Sequence, residues 1–561
     1  MNTLFIKVCL QGGKYFVDIK TFVVISIYKL VEKDKLRLNV SLTGLNKDCF
    51  IEVSFEDIDF EVLSEPPILS NLSVWPIILL SDNYIISGLC SVSRQICRLS
   101  DKEHVKKLLG FREACLVACA ETSMWTKFCE IDIILMVNNI LTFKGNVFHM
   151  PKDVLRYENH LSQPVRIHNI YKLARNNKND QGIKSSVPRH ELEVPHDYAE
   201  GPYVTLADLI LYPCFTIIFQ YFQYNTLSVK ANLPLTIEWL NQIRQQYVLP
   251  KFHVHFSKLF NKTIIIPEVA NVSLYKADPV HMVSAKHHTK QYKIESALNL
   301  IKPLEECIVN HFHPVGFNNN SFNWNAIPLS ANPQGGALPA SRADRKCEQL
   351  ENLIKAALEV VGEKNYRIVD FCSGSGHMGI LIALVLPQCQ VILVENKERS
   401  LARARNTISQ LKLTNVIVVQ SNLDYFTGDF NLGMSLHACG LATDLVIQHC
   451  IKNKADFICC PCCYGGIRDC HEVSYPRSQS FKKCFLSKED YYFNLAHAAD
   501  QTHQQENIKT KQGYFCMDVI DSDRRLFAEE CGYKIHLGKL QPVTCTNKNN
   551  LLVGQFVGTL E

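Results

Sequence analysis

The chain has 561 residues, with 59 Lys plus Arg against 55 Asp plus Glu for a net charge of +4, and 47% of it is hydrophobic. Such a length exceeds one ordinary core, so several domains are expected, while the near-balanced charge excludes a chain coated in one sign but allows a local basic face. No apolar run approaches the roughly 18 residues that suggest a membrane span and the first residues lack a secretory pattern, so a cytoplasmic protein with no membrane partner is expected, its 23 cysteines reduced rather than paired.

In chain order, residues 1–98 alternate β-rich runs ("FVVISIYKL", "LRLNVSL", "PIILL") with polar turns, which predicts a mixed α/β block. Residues 100–146 and 203–260 carry helix-spaced apolar positions. Thr205 with Asp208 reads as a capping box, and Val204 with Leu209 as its hydrophobic staple. Between the helical runs, 174–201 is polar, charged and poorly periodic, and is expected to be a mobile insertion. A stretch rich in Asn, Pro, Gly and Ser at 316–340 predicts a linker. After the helix "CEQLENLIKAALEVVG" come five strand-like runs, "YRIVDF", "CQVILVE", "NVIVVQ", "FNLGMSL" and "ADFICC", separated by glycine turns and helices. That alternation predicts a parallel sheet covered by helices on both faces.

"YRIVDFCSGSGHMGILIALVL" is a buried strand, a glycine turn and a helix, and Gly374, Gly376 and Gly379 spell G-x-G-x-x-G. A nicotinamide dinucleotide is one reading of that spacing. Asp370, ending the strand four residues before the first glycine, favours S-adenosylmethionine instead: a nucleoside without phosphates needs close backbone approach and an acid near its ammonium end. On this reading Cys372, Ser373, Gly374 and Gly376 form the cofactor turn. Glu395 accepts from the ribose hydroxyls, and Asn422 contacts the adenine edge. Three strand ends in succession then carry polar groups where an open sheet binds its ligand.

The next two strands end in "SLHACGLATD" and "FICCPCCYGG" and are expected to be neighbours. His437 is a candidate general base or positioning donor that also borders the cofactor, and Cys462 and Tyr464 are candidate substrate contacts. Zinc held by Cys459 and Cys462, or by Cys460 and Cys463, with His437 and Cys439 is one arrangement of four N/S ligands. Against it, alternate strand residues point to opposite faces, so buried or pocket-lining thiols are preferred and no metal ligand is assigned. Lys397, Arg399, Arg403 and Arg405 lie on one helix and read as a solvated face, with RNA contact as the alternative.

"RIVDFCSGSGHMGI", "VENKERSLARAR", "LHACGLATD", "CCPCCYG" and "AEECGY" with "KNNLLVG" together resemble the family of glutathione S-transferase C-terminal domain-containing proteins, and the likeness continues upstream through "LLGFREACLVACAETSMWTKFCEIDI" and "AEGPYVTLADLILYPC". The resemblance implies a degenerate thioredoxin-like block at 1–98, with Pro76 as its cis-proline. It implies a glutathione-transferase-like helical domain at 99–315 and a doubly wound, Rossmann-like S-adenosylmethionine-dependent methyltransferase domain at 341–561, with "YKIHLG" and "NLLVGQFVG" as an antiparallel edge hairpin. Cys90 and Ser91 stand where the transferases carry an acid-serine pair for glutathione, so neither glutathione binding nor conjugation is expected. The helical domain is then expected to hold a protein partner, and RNA is favoured as methyl acceptor. The alternative is a non-enzymatic scaffold that retains both folds.

Overall fold

The computed structural model describes residues 2–44, 50–145, 147–167, 169–178, 182–222, 226–254, 263–275, 289–309, 322–336, 339–486, 488–502 and 507–558. The chain forms two compact units, 1–285 and 286–561. The block expected at 1–98 and residues 99–285 of the block expected at 99–315 thus belong to one unit, and the boundary precedes the linker expected at 316–340.

In the first unit Thr3–Gln11 runs parallel to Arg37–Thr43 and antiparallel to Ile77–Leu79, which pairs antiparallel with Tyr84–Ser87. The Trp75-Pro76 peptide is cis, as expected. "FVVISIYKL" is not a strand: it lies mostly within the helix Ile19–Tyr28, whose N-cap Asp18 accepts the amide of Thr21 at 2.7 Å. Eight of its ten residues are buried, so tertiary packing on nearly every side overrides the β preference of Val and Ile. The helix Leu206–Phe222 is buried almost throughout. Asp208 near its start accepts the amides of Thr205 at 2.8 Å and Ala199 at 2.7 Å and the indole N–H of Trp239 at 2.8 Å, so the expected capping acid also ties two further segments to the helix.

Among the described residues of the expected mobile insertion, Leu192 is buried in a small satellite core with Val165, Ile170 and Ala174, and Ile183, Val187 and Val194 pack against it. The sparse apolar residues of 174–201 therefore suffice to pin much of the segment. Residues 179–181 lie outside the described ones.

The second unit begins with a helix, α1 (Gln291–Leu300), whose Ile294 and Ala297 enter the core with Tyr464, Tyr492 and Met517. The helical domain expected to end at 315 therefore gives up its last segment to this unit. Residues 322–336 of the expected linker are also docked: Ala331 and Pro333 are buried, and Trp324 donates its indole N–H to Glu351 at 3.2 Å. Residues 316–321 and 337–338 are not among the described residues.

Among the described residues seven strands follow: β1 (Arg367–Phe371), β2 (Gln390–Glu395), β3 (Val416–Gln420), β4 (Leu432–Cys439), β5 (Asp456–Cys462), β6 (Tyr533–Lys539) and β7 (Asn550–Phe556). They lie in the order β6-β7-β5-β4-β1-β2-β3. The first five are parallel, and β7 is antiparallel to both β5 and β6, the expected edge hairpin. α2 (Ala340–Val361) precedes β1, while α3 (His377–Val385), α4 (Glu398–Leu411) and α5 (Leu441–Asn453) follow β1, β2 and β4; α6 (Asp490–Ala499) and α7 (Ile508–Glu530) lie between β5 and β6. From β1 the chain winds outward through β2 and β3, then returns to β4 on the other side. The switch point between β1 and β4 is where such a sheet opens a crevice at its carboxyl ends. Among the described residues no helix is long and apolar enough to cross a membrane.

Candidate active site

β1 ends in Asp370, which is 2% exposed. Its Oδ2 accepts the amide of Gly379, in the first turn of α3, at 2.9 Å, and Oδ1 makes no hydrogen bond to a described residue. Burial raises its pKa from 3.8 to about 7, against the lowering effects of the Gly379 amide and the Lys346 ammonium. β2 ends in Glu395, whose Oε2 accepts the Gly374 amide at 2.9 Å while Oε1 accepts those of Asn396 and Lys397, each at 2.9 Å. A carboxylate offers about four lone-pair sites, so three amides leave Oε2 able to accept one more hydrogen bond.

The three glycines do different work. A Cβ on Gly376 would lie 2.8 Å from Leu393, and one on Gly379 would lie 2.2 Å from the same side chain, so these two let α3 press against β2. Gly374 has φ +56°, and a Cβ there would meet nothing within 4 Å, so it alone of the three faces open space. Cys372 is held at φ +54°. The buried hydroxyls of Ser373, in the turn, and Ser421, just past β3, have no hydrogen-bond partner among the described residues. Asn422 is half-buried beside Ser421.

These groups fit a nucleoside whose far end is cationic. They do not fit a dinucleotide: its pyrophosphate is approached through the second glycine of the turn, and here a Cβ on Gly376 would meet Leu393 at 2.8 Å and Ala404 at 3.1 Å instead of open space.

β4 and β5 are neighbours, as expected, and their pairing shifts register between Leu436 and Cys439. The bulge puts His437 at φ +67°, turning it out of the strand. Its Nε2 lies 3.0 Å from the side-chain oxygen of Gln349, whose amide nitrogen donates to the Cys545 carbonyl at 2.8 Å. That second bond fixes the amide so that its oxygen faces the imidazole. Nε2 therefore carries the proton and Nδ1 is the acceptor. Burial and the Lys346 ammonium push His437 down to about 4, so the ring is neutral at physiological pH.

Tyr464 requires a correction. Expected to face a planar substrate, it is fully buried, with its hydroxyl donating to Asp521 Oδ2 at 2.6 Å and its amide to Asp500 Oδ1 at 3.0 Å. Asp521 also receives Arg524 at 2.9 Å, and Arg524 is paired with Asp444, so Tyr464 joins a buried polar network behind the strand ends. A strand-end aromatic looks alike from sequence whether it turns outward or, as here, into the packed helices α6 and α7.

The cysteines separate into two groups. Cys459 and Cys460 are wholly buried, and burial raises both thiol pKa values. Cys462 pairs in register with Cys439 on β4, and their sulfurs are 3.3 Å apart. Cys463 follows with φ +51°, and the sulfurs of Cys439, Cys462 and Cys463 all lie within 4.8 Å of one another. Among the described residues, neither of the Cys-x-x-Cys pairs weighed and set aside for zinc is grouped with His437.

Two residues of α2 escaped sequence reasoning. Gln349 orients His437, and Lys346 lies close enough to Asp370, His377, His437 and Cys460 to perturb or be perturbed by each. Burial lowers the lysine's own pKa. Their signal was a polar pair at i, i+3 interrupting the stripe of Ala343, Cys347, Leu350 and Leu353.

The strand order, the glycine turn and the acids at β1 and β2 define a Rossmann-like domain of the methyltransferase class, and residues 344–470 match the profile of a methyltransferase domain family. The full chain is 37% identical to the glutathione S-transferase C-terminal domain-containing protein homolog of Drosophila melanogaster over 595 aligned positions, covering 99% of this chain and 100% of the relative. It is 33% identical to the Homo sapiens glutathione S-transferase C-terminal domain-containing protein over 568 positions, covering 89% of each. The chain belongs to this family. A more distant likeness, 28% over 207 residues and covering 33% of this chain and 67% of the relative, is to the release factor glutamine methyltransferase of Mycoplasma mycoides subsp. mycoides.

Proposed function

We propose that the second unit is an S-adenosylmethionine-dependent methyltransferase acting on a nucleophilic O or N, with RNA as the favoured substrate class. The observation that carries the cofactor is the pair of acids at adjacent strand ends: Glu395 beside the one glycine of the turn that faces open space, and Asp370 with a free carboxylate oxygen. On this reading Glu395 Oε2 accepts from the ribose, Asp370 Oδ1 faces the ammonium, and the Ser373 and Ser421 hydroxyls and Asn422 serve the remaining polar edge. The bound cofactor supplies an electrophilic methyl group. The chain's own contribution is to orient the acceptor and exclude water, with His437 Nδ1 available to accept a proton or hydrogen bond from it. Because the imidazole is neutral at physiological pH, that role needs no prior deprotonation.

RNA is favoured by the exposed cations Lys397, Arg399 and Arg403, at the cap and in the first two turns of α4 beyond Glu395. A side-chain amide in a protein is the second reading, favoured by the likeness to release factor glutamine methyltransferase. Incubating the chain with methyl-labelled cofactor and separated RNA and protein fractions of a cell extract discriminates them: label is expected in RNA, and label confined to protein would replace this reading by the second.

The first unit is read as a degenerate thioredoxin-like half joined to a glutathione-transferase-like helical half, serving to hold a protein partner rather than glutathione. Its parallel and antiparallel strand pairing supports the first assignment. The loss of glutathione binding is supported at the helix Leu89–Leu99: its first amides, Leu89 and Cys90, donate to the chain's own Glu130 at 2.8 and 2.6 Å. An anion that needed that helix end would find a carboxylate already there.

A further inference from the structure

We infer that Cys439, Cys462 and Cys463 form a binding site for one thiophilic divalent cation, zinc, with a fourth coordination position open to water or an incoming ligand. Three features of the backbone build it. Cys439 and Cys462 are register partners on adjacent parallel strands, so their side chains leave the sheet on the same side. The left-handed conformation of Cys463 turns the chain sharply just past β5, bringing a third sulfur back to the first two. Gly440 and Gly466 then lock the two turns together: a Cβ on Gly440 would lie 2.6 Å from the Gly466 carbonyl carbon, and the Gly440 amide donates to the Cys462 carbonyl at 3.0 Å.

The spacing suits the ion. A zinc about 2.3 Å from each sulfur at tetrahedral angles separates the sulfurs by about 3.8 Å, and here they lie 3.3 Å apart in the closest pair and within 4.8 Å throughout. Cys462 is buried at the base while Cys439 and Cys463 are exposed, so an ion has a path in and the fourth position faces outward. Three thiolates around a divalent ion leave one net negative charge. Lys397, near Cys439, and Lys548, near Cys462 and Cys463, favour that charge, while Asp500, 3.1 Å from Lys548, opposes it. Asp500 in turn receives the amides of Tyr464 and Gly465, fixing the turn that carries Cys463. The ligand set differs from both arrangements suggested by the Cys-x-x-Cys spacing, because the strand sends Cys459 and Cys460 into the core.

The site stands or falls independently of methyl transfer. The full chain, purified reduced and metal-free, is titrated with zinc and, in parallel, with cobalt(II), with bound metal measured by elemental analysis and cobalt ligation read from its thiolate charge-transfer band. About one ion per chain is expected, together with protection of Cys439 and Cys463 from alkylation as followed by peptide mass spectrometry. Cys439→Ser and Cys463→Ser, at exposed positions, are expected to lower metal affinity by tenfold or more with an unchanged circular dichroism spectrum, while Cys470→Ser leaves it as in the wild type. Substoichiometric metal, alkylation unaffected by zinc, or a Cys439–Cys462 disulfide that forms in air and is not prevented by zinc would each overturn the site. The wild-type alkylation result does not depend on any variant folding.

Discussion

The Oε2 of Glu395 accepts the amide of Gly374 at 2.9 Å, joining the end of β2 to the one glycine of the turn that faces open space. The same carboxylate holds Asn396 and Lys397, so one side chain shapes both walls of the crevice. Glu395→Gln replaces one acceptor oxygen by a donor that must face a backbone N–H. The loss is expected to cost about 1–3 kcal/mol. Hydrogen exchange at the Gly374 amide should accelerate in this variant while the amides of β1 keep their protection; equal protection in both proteins would remove Glu395 from its structural role.

Asp370 gives a pH dependence whose sign is fixed by its burial. Its pKa in the folded chain is raised to about 7 from 3.8, so the charged form that attracts an ammonium group accumulates only above about 7. Affinity for S-adenosylmethionine should therefore rise from pH 6 to pH 8 and level off, falling by up to tenfold per unit on the acid side. In Asp370→Asn this dependence should vanish. The same shift means that folding stability contributed by this group is present at low pH and declines as pH rises from about 4 to about 7, because the folded chain binds the extra proton in that window. A binding curve flat between pH 6 and 8 in the wild type would contradict the assignment of Asp370 to the cationic end.

Tyr464 is expected to matter for stability and not for chemistry. Tyr464→Phe removes a buried hydroxyl bonded to the Asp521 carboxylate at 2.6 Å, a charge-assisted contact worth about 1.5–3 kcal/mol. The melting temperature should fall by several degrees with cofactor affinity unchanged within twofold. A variant as stable as the wild type but defective in methyl transfer would restore the substrate role that the sequence suggested.

Glu130 fills the start of the helix Leu89–Leu99 from within a π-helical turn at Phe128–Asp132. Glu130→Ala strands two buried amides and is expected to destabilise the first unit by about 1–3 kcal/mol. The wild-type chain should pass through immobilised glutathione unretained; specific elution by free glutathione would overturn the account of this helix end.

Much of the second unit was legible because its signals are periodic and local. Five buried runs spaced by glycine turns specify the parallel strands, and Asp370, Glu395 and His437 stand at strand ends that topology alone brings to one crevice. What failed has a common cause in side-chain direction. "FVVISIYKL" reads as strand because β-branched residues prefer one, yet most of it lies in a helix packed on nearly every side. Tyr464 and the cysteine pairs could be assigned to an outward or an inward face only after the bulge at His437 and the left-handed Cys463 were known. Lys346 and Gln349 were hidden because a helix before the first strand gives no motif, and their meaning lies in what they meet across the sheet.

The most direct test of the methyltransferase account is calorimetric titration of S-adenosylmethionine into the purified chain, with an Asp370→Asn, Glu395→Ala double variant alongside. The account predicts saturable one-site binding in the wild type, weakened by at least a hundredfold in a variant whose circular dichroism spectrum is unchanged. No binding to the wild type, or equal binding to both, would contradict it and leave a scaffold that keeps the fold without the cofactor.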